Sequence, residues 1–170
     1  MSVHDLPGPV PNGPLGHSAD SPPPPGVTLD ADGATFCVYA GHADRVEVCL
    51  FPGHGATGPD AERRVALTER LHGWWWGHVD DVRPGQRYAL RVAGPWDPDA
   101  AQRHNPAKLL LDPWARAIEG HVDMVPAVFG HLVGDDLRGD DTVASDLDSA
   151  PHMPRCVVVS DDFDWGHARR

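Results

Sequence analysis

Gly33-Ala34-Thr35-Phe36-Cys37-Val38-Tyr39-Ala40, then Arg45-Val46-Glu47-Val48-Cys49-Leu50-Phe51, are the two runs whose reading decides the fold. In the first, Thr35, Cys37 and Tyr39 fall on one face and Phe36 and Val38 on the other. In the second, Val46, Val48 and Leu50 alternate with Arg45, Glu47 and Cys49, the period of a half-buried strand in an antiparallel sheet. Gly41-His42-Ala43-Asp44 separates the runs as a turn. Asp30-Ala31-Asp32-Gly33 precedes them as another, with Gly33 where a positive φ is expected.

The same texture continues in both directions. Gly26-Val27-Thr28-Leu29 reads as a short strand, as do residues 63–67, 73–79 and 86–92, with a Gly/Pro loop from Pro52 to Asp60 and a turn at Asp80–Gly85. Short strands at this spacing, uninterrupted by a helical period, predict an all-β chain with an immunoglobulin-like sandwich of the early-set type. The expected core is Phe36, Val38, Val46, Val48, Leu50, Leu67, Tyr88, Leu90 and Val92. In the Trp74-Trp75-Trp76 run alternation sends Trp75 to one face and Trp74 with Trp76 to the other.

Outside the strands the chain divides into three. Residues 1–25 form a Pro/Gly-rich arm ending in four prolines, residues 26–98 the sandwich, and residues 99–170 a short helix, loops and an irregular linker. The helix is expected over Asn105–Asp112, with Asn105 as cap and Pro106 at the first helical position. Residues 134–150, rich in Asp, Gly and Ser, read as a loop, and Pro154–Val159 as a last strand-like run. Phe163 and Trp165 stand in an otherwise polar end, where they call for a covering surface.

Composition narrows the function. A net charge of -11 disfavours nucleic acid and anionic membrane as partners, and leaves neutral ligands such as sugars open. Three cysteines, each in an apolar run, argue for buried thiols rather than a disulfide framework. No apolar stretch is long enough for a membrane helix, and the first residues lack the pattern of a secretory signal. A cytoplasmic protein is expected, and the scarcity of lysine beside arginine suggests a GC-rich bacterial genome. The histidines show no metal-binding spacing, and neither a phosphate-binding loop nor a nucleophile elbow occurs, so no cofactor or metal is expected. Asp161, Asp162 and Asp164 read as a solvated linker rather than a carboxylate pair for hydrolysis.

Four segments taken together resemble bacterial glycogen-debranching enzymes of the isoamylase type, glycoside hydrolase family 13. They are Gly33–Phe51; Leu71–Val92, with Trp75-Trp76-Gly77-His78-Val79 and Arg83-Pro84-Gly85-Gln86-Arg87-Tyr88; Arg103–Arg116, with Asn105-Pro106-Ala107-Lys108-Leu109-Leu110-Leu111-Asp112-Pro113-Trp114; and Met153–Val159 with the aspartate-rich end. The resemblance implies a sandwich similar to family 48 carbohydrate-binding modules, placed before a (β/α)₈ barrel that carries the catalytic carboxylates. A barrel takes about 250 residues. This chain of 170 is therefore expected to be a non-catalytic front end, inactive alone on the α-1,6 branches its relatives cleave. The implied partners are the barrel and, as an alternative role, α-glucan such as glycogen.

Within that resemblance Trp96, in Gly94-Pro95-Trp96-Asp97, matches a sugar-stacking tryptophan of glycogen-binding modules and is a candidate glucan contact. Trp75 matches the family's core aromatic, which implies that Trp74 and Trp76 face outward, where they could cover a glucan, the barrel or a second copy, and they too are candidate glucan contacts. Two departures stand beside it. Ala89 replaces a lysine of those modules, and the Pro52–Pro59 loop lacks their second stacking tryptophan. Asn105, Lys108, Trp114, Phe163 and Trp165 are the candidate contacts to the barrel.

Overall fold

A computed structural model describes residues 21–52, 61–134 and 138–160. In chain order the strands are β1 (Gly26–Leu29), β2 (Gly33–Tyr39), β3 (Arg45–Phe51), β4 (Arg63–Ala66), β5 (Glu69–Leu71), β6 (Trp74–Asp80), β7 (Arg87–Ala93), β8 (Trp96–Asp97), β9 (Gln102–Arg103), β10 (Ile118–Glu119), β11 (His131–Val133), β12 (Gly139–Ala144) and β13 (Arg155–Val157). They build a four-stranded sheet in the order β1-β2-β6-β5 and a five-stranded sheet in the order β10-β13-β7-β3-β4, with two small ribbons, β8-β9 and β11-β12. Apart from two single-turn 3-10 helices, the described residues contain no helix. The expected all-β sandwich is the fold observed.

The period-two pattern explains the core. In the β2–β6 register Val38 opposes Trp75, Phe36 opposes Gly77 and Ala34 opposes Val79, which sends one face of the pair inward. Val46, Val48 and Leu50 of β3 meet Val92, Leu90 and Tyr88 of β7 on the facing sheet. All but Gly77 belong to one buried cluster, which Leu67, Cys156 and Val158 also join. Phe36 and Tyr88 meet edge to face across the two sheets, 5.2 Å between centroids. Each fully buried aliphatic side chain here contributes about 1.5–3 kcal/mol. Tyr88 is nearly inaccessible, and its hydroxyl donates to Asp112 Oδ2 at 2.8 Å, so the phenol is not left unpaired.

Several local expectations are corrected. Gly33 does not adopt a positive φ. A β-carbon there would lie 2.1 Å from the Val79 carbonyl oxygen, so close approach of β6 is what requires glycine. The turn itself is held by Asp30, whose Oδ1 accepts the amides of Asp32 and Gly33 at 2.9 and 2.8 Å. Asn105–Asp112 is not a helix. Asn105 Oδ1 accepts the Ala107 amide and Lys108 N–H closes one turn onto the Asn105 carbonyl, but there the local pattern ends. Leu109 N–H goes to Ser149 Oγ at 2.7 Å, and Leu110 exchanges backbone hydrogen bonds with Leu90 of β7. Tertiary partners take the amides that a helix would have used.

Residues 138–150 are likewise not simply a loop, since β12 pairs antiparallel with β11 across a bulge. Every residue of β12 is exposed, so no apolar alternation marked it. Finally, β3 is not half-buried. Cys49 and Phe51, on its outer side, join Ala89, Leu109 and Ala150 in a second buried cluster, because residues 105–110 and 145–155 return across that face. Arg155 completes the cover, its guanidinium 4.0 Å from the centre of the Phe51 ring.

Candidate functional site: an aromatic face and an adjoining groove

Cover on the five-stranded sheet leaves the outer face of the four-stranded sheet as the one that displays aromatic side chains. Register fixes which ones. Tyr39 opposes Trp74 and Cys37 opposes Trp76 on the side away from the core. Trp74 and Trp76 are half-buried, while Tyr39 keeps 56% of its surface exposed. Trp74 is delivered by a tight turn in which His72 (φ 49°) and Gly73 (φ 84°) are both left-handed, as a two-residue hairpin demands.

Trp114 joins them from outside the sheet. Asp112 accepts the Trp114 amide at 2.8 Å while itself held by Tyr88 and by its own N–H to Cys156 Sγ at 3.3 Å. The segment crosses β1 at Gly26 (φ +89°), where an added β-carbon would meet the Trp114 Cβ at 3.0 Å. Trp114 is 44% exposed, and its ring lies 5.7 Å from that of Trp74 at 49°, which in turn sits 5.5 Å from Tyr39 at 70°. These rings bury edges and faces against one another. The three rings are tilted against one another and not coplanar. Trp75, between them in sequence, points inward, and its indole N–H donates to the Ala40 carbonyl at 3.1 Å.

Trp96 lies elsewhere, on the β8–β9 ribbon. Its indole N–H donates to the Thr142 carbonyl at 3.1 Å, and its six-membered ring rests against Gly130, where a β-carbon would come within 3.5 Å. It ties the β11–β12 ribbon to the sandwich. Asn105 and Lys108 are interior. Asn105 Nδ2 donates to the carbonyls of Gly130 and Ser145, both at 2.8 Å. Lys108 Nζ donates to the Ala127 carbonyl at 2.9 Å, the Leu147 carbonyl at 2.6 Å and Ser145 Oγ at 3.2 Å, which uses all three ammonium protons. Burial lowers its pKa, the desolvation of the cation outweighing the nearby Asp148 and Asp146. Phe163, Trp165 and the three terminal-segment aspartates lie outside the described residues.

A residue that sequence reasoning did not single out organises the other face. Arg91 of β7 is 1% exposed. Its Nε and Nη2 grip Glu62 in a two-pronged pair, each 2.7 Å, Nη2 also reaches Asp148 at 2.8 Å, and Nη1 donates to the Pro106 carbonyl at 2.9 Å. Burial pushes the Glu62 carboxyl up, but hydrogen bonds from Arg91 and the Cys49 thiol, with the charges of Arg91 and Arg64, outweigh it and bring it down to about 2. Alternation had placed Arg91 on the outer side of β7. Nothing in the local sequence said that residues 106 and 148 would close over it.

Beside Tyr39 a groove of about 330 Å3 runs between the sandwich and the 103–110 segment, walled by Tyr39, Val92, Arg103, His104, Leu110 and Val128. Among the described residues no group of three or more His, Cys, Asp or Glu is placed to hold a metal, and no helix is long and apolar enough to cross a membrane.

Fold and site together define a β-sandwich module, two antiparallel sheets with one face covered by its own chain and an aromatic face on the other. The chain belongs to the carbohydrate-binding module 48 family, the isoamylase N-terminal domain, whose family model matches residues 24–115. It is similar to the glycogen debranching enzyme of Cronobacter sakazakii, 42% identical over 150 residues that make up 88% of this chain and 20% of that protein. It is also similar to that of Yersinia pseudotuberculosis, 39% identical over 145 residues, 85% of this chain and 20% of the relative. The chain thus spans about a fifth of the length of the curated relatives it matches. Among solved structures, the catalytic module of the multi-modular glycogen-degrading pneumococcal virulence factor SpuA shares the fold at a TM-score of 0.52 and 18% identity, over 83% of this chain and 17% of that one.

Proposed function

We propose that this chain is the non-catalytic sandwich of a bacterial glycogen-debranching enzyme of glycoside hydrolase family 13, and that it braces the catalytic barrel of that enzyme. The parent activity is hydrolysis of α-1,6 branch linkages in glycogen. The observation that carries the bracing role is the tilted Tyr39–Trp74–Trp114 cluster, a surface of large apolar rings on the outer face of the four-stranded sheet, which the described residues leave partly exposed. The match to a fifth of each debranching relative supports it, because the remaining four-fifths are where a barrel would lie.

A complementation assay tests this reading. The chain alone should release no reducing ends from glycogen. Added to the Cronobacter sakazakii enzyme lacking its matching fifth, it should raise debranching well above that of the deleted enzyme alone. Reducing ends released by the chain alone would sink the non-catalytic assignment, and no gain on mixing would sink the bracing role.

The second reading, a glucan-binding module acting by itself, rests on family membership and on Trp96. The use of the Trp96 indole N–H by Thr142 and the seating of its ring on Gly130 favour a holding role for that residue. If the module takes glucan, another surface must supply the platform.

A further inference from the structure

We propose that the part of the chain beyond the family match carries a second docking surface for the catalytic part of the debranching enzyme, built on the β11–β12 ribbon. Its apolar contacts are Leu132 and Val143 on the ribbon, with Met124 and Leu147 on the segments that lead into and out of it. It rests on the bracing role of the chain and shares no residue with the Tyr39–Trp74–Trp114 cluster.

Exposure marks the surface. Within the family match, residues 24–115, the large apolar side chains left open among the described residues are Tyr39, Leu110 and Trp114. Seven more stand open in the shorter stretch beyond it, and Met124, Leu132, Val143 and Leu147 each keep at least 45% of their surface. Single exposed aliphatics are ordinary on a monomer, but a stretch this dense in them marks a surface that a partner covers.

The ribbon is also fastened. Every residue of β12 is exposed, so apolar burial does not place that strand. Polar side chains of the module do. Trp96 donates to the Thr142 carbonyl, Asn105 to the carbonyls of Gly130 and Ser145, Lys108 to those of Ala127 and Leu147, and Arg103 pairs with Asp141. A surface already held in one place loses little conformational freedom when a partner docks.

Length and charge identify the occupant. The 145 residues aligned with the Yersinia pseudotuberculosis enzyme exceed by 30 the 115 that end with the family match, so at least 30 of them lie beyond it. The stretch is therefore shared with debranching enzymes, and the four-fifths of those relatives that this chain does not span would supply the partner. The carboxylates of β12 are already engaged, Asp140 by the Thr142 amide and hydroxyl and Asp141 by Arg103. What the surface leaves open is aliphatic, which calls for an apolar patch on the partner, and a net charge of -11 disfavours an anionic membrane in that place.

The test joins this chain to the Cronobacter sakazakii enzyme in place of its matching fifth and follows the loss of debranching on heating. Leu132→Ser with Val143→Ser should shorten the half-life of the graft at least about fivefold and leave the unfolding midpoint of the isolated 170-residue chain in place, because these side chains are half exposed in the module. Met124→Ser with Leu147→Ser should act in the same direction, and decides the matter if the first pair disturbs the ribbon itself. A graft unmoved by both pairs overturns the surface, and so does an equal loss in the isolated chain with both pairs, which would make these side chains part of the module's own packing. Self-association of the isolated chain that the variants abolish without touching the graft gives the surface to a second copy and overturns it too. A graft no more active than the enzyme with its matching fifth deleted sinks the bracing role and this surface together. A graft weakened by Trp74→Ser with Trp114→Ser, and by neither ribbon pair, sinks this surface alone.

Discussion

Replacing Arg91 by Met keeps the length of the side chain and removes the charge that joins Glu62, Asp148 and the Pro106 carbonyl. Four hydrogen bonds are lost: two to Glu62, one to Asp148 and one to the Pro106 carbonyl. Breaking a buried pair from one side leaves the other charge stranded, which costs about 3–5 kcal/mol. Glu62 has a side-chain exposure of 14% and Asp148 of 54%, so water rescues part of the loss and the lower end, about 3 kcal/mol, is expected.

The pH dependence gives an independent sign. The Glu62 carboxyl is held at about 2 in the fold against an ordinary 4.5. A depressed carboxylate contributes stability that is complete above about pH 4.5 and is lost as pH falls from there toward 2. At about 1.4 kcal/mol per unit, discounted for solvent screening, that contribution is about 2 kcal/mol. Equilibrium urea unfolding followed by tryptophan fluorescence, at pH 7 and pH 3, would be run on the parent, Arg91→Met, Glu62→Gln and the double variant. Arg91→Met should lose about 3 kcal/mol at pH 7 and distinctly less at pH 3, and the double-variant cycle should show coupling of at least about 1.5 kcal/mol. A loss below about 1 kcal/mol at pH 7, with additive singles, would refute the claim that this pair fastens the 106 and 148 segments to β7.

Lys108→Met leaves two carbonyls and a serine hydroxyl without their donor, and should cost about 2–3 kcal/mol while speeding hydrogen exchange at residues 127 and 145–147. Unchanged exchange there would show that the lysine does not hold those segments. Burial pushes the Cys37 and Cys156 thiols up to about 11, and Cys49 is raised further by burial and by Glu62. Native protein at pH 8 should therefore resist iodoacetamide and take up three labels only on unfolding, and prompt native labelling would contradict the burial. Trp74→Ser combined with Trp114→Ser should lower any self-association of the chain in sedimentation velocity, since it removes two of the three rings of the cluster. An unchanged sedimentation profile in a self-associating parent would move the sticky surface elsewhere.

The sandwich was legible because its information is local. Phe36, Val38, Val46, Val48, Leu50 and Leu90 announce their faces through a period of two, and the turn before β2 carries its own chemistry in Asp30, whereas the left-handed turn at His72 and Gly73 was read as the start of a strand. The chain beyond residue 98 was harder to read, because distant partners set its structure. Asn105 and Pro106 did open a turn, as their types suggest, but Ser149 and Leu90 then claimed the next amides. In β12 there was nothing apolar to read, since the ribbon has no face in the core.

The candidate site divides in the same way. Alternation separated Trp74 and Trp76 from Trp75, the family match of Trp75 set which side faced outward, and their neighbour Tyr39 was placed on one face with Thr35 and Cys37 without being marked as exposed. Arg91 and Lys108 could not be recognised as buried clamps, because a lone charged residue is ordinarily solvated and only the returning chain makes these two interior. A buried lysine, the one lysine in a chain with abundant arginine, is the signal that could have hinted at a special position.

The central claim is that the Tyr39–Trp74–Trp114 face seats the catalytic part of a debranching enzyme. Its most direct test is titration calorimetry of this chain into the Cronobacter sakazakii enzyme lacking its matching fifth, run beside the Trp74→Ser/Trp114→Ser double variant. The account predicts saturable one-to-one binding with a negative heat-capacity change, as apolar burial requires, and at least tenfold weaker binding by the variant. Equal binding by parent and variant would contradict it.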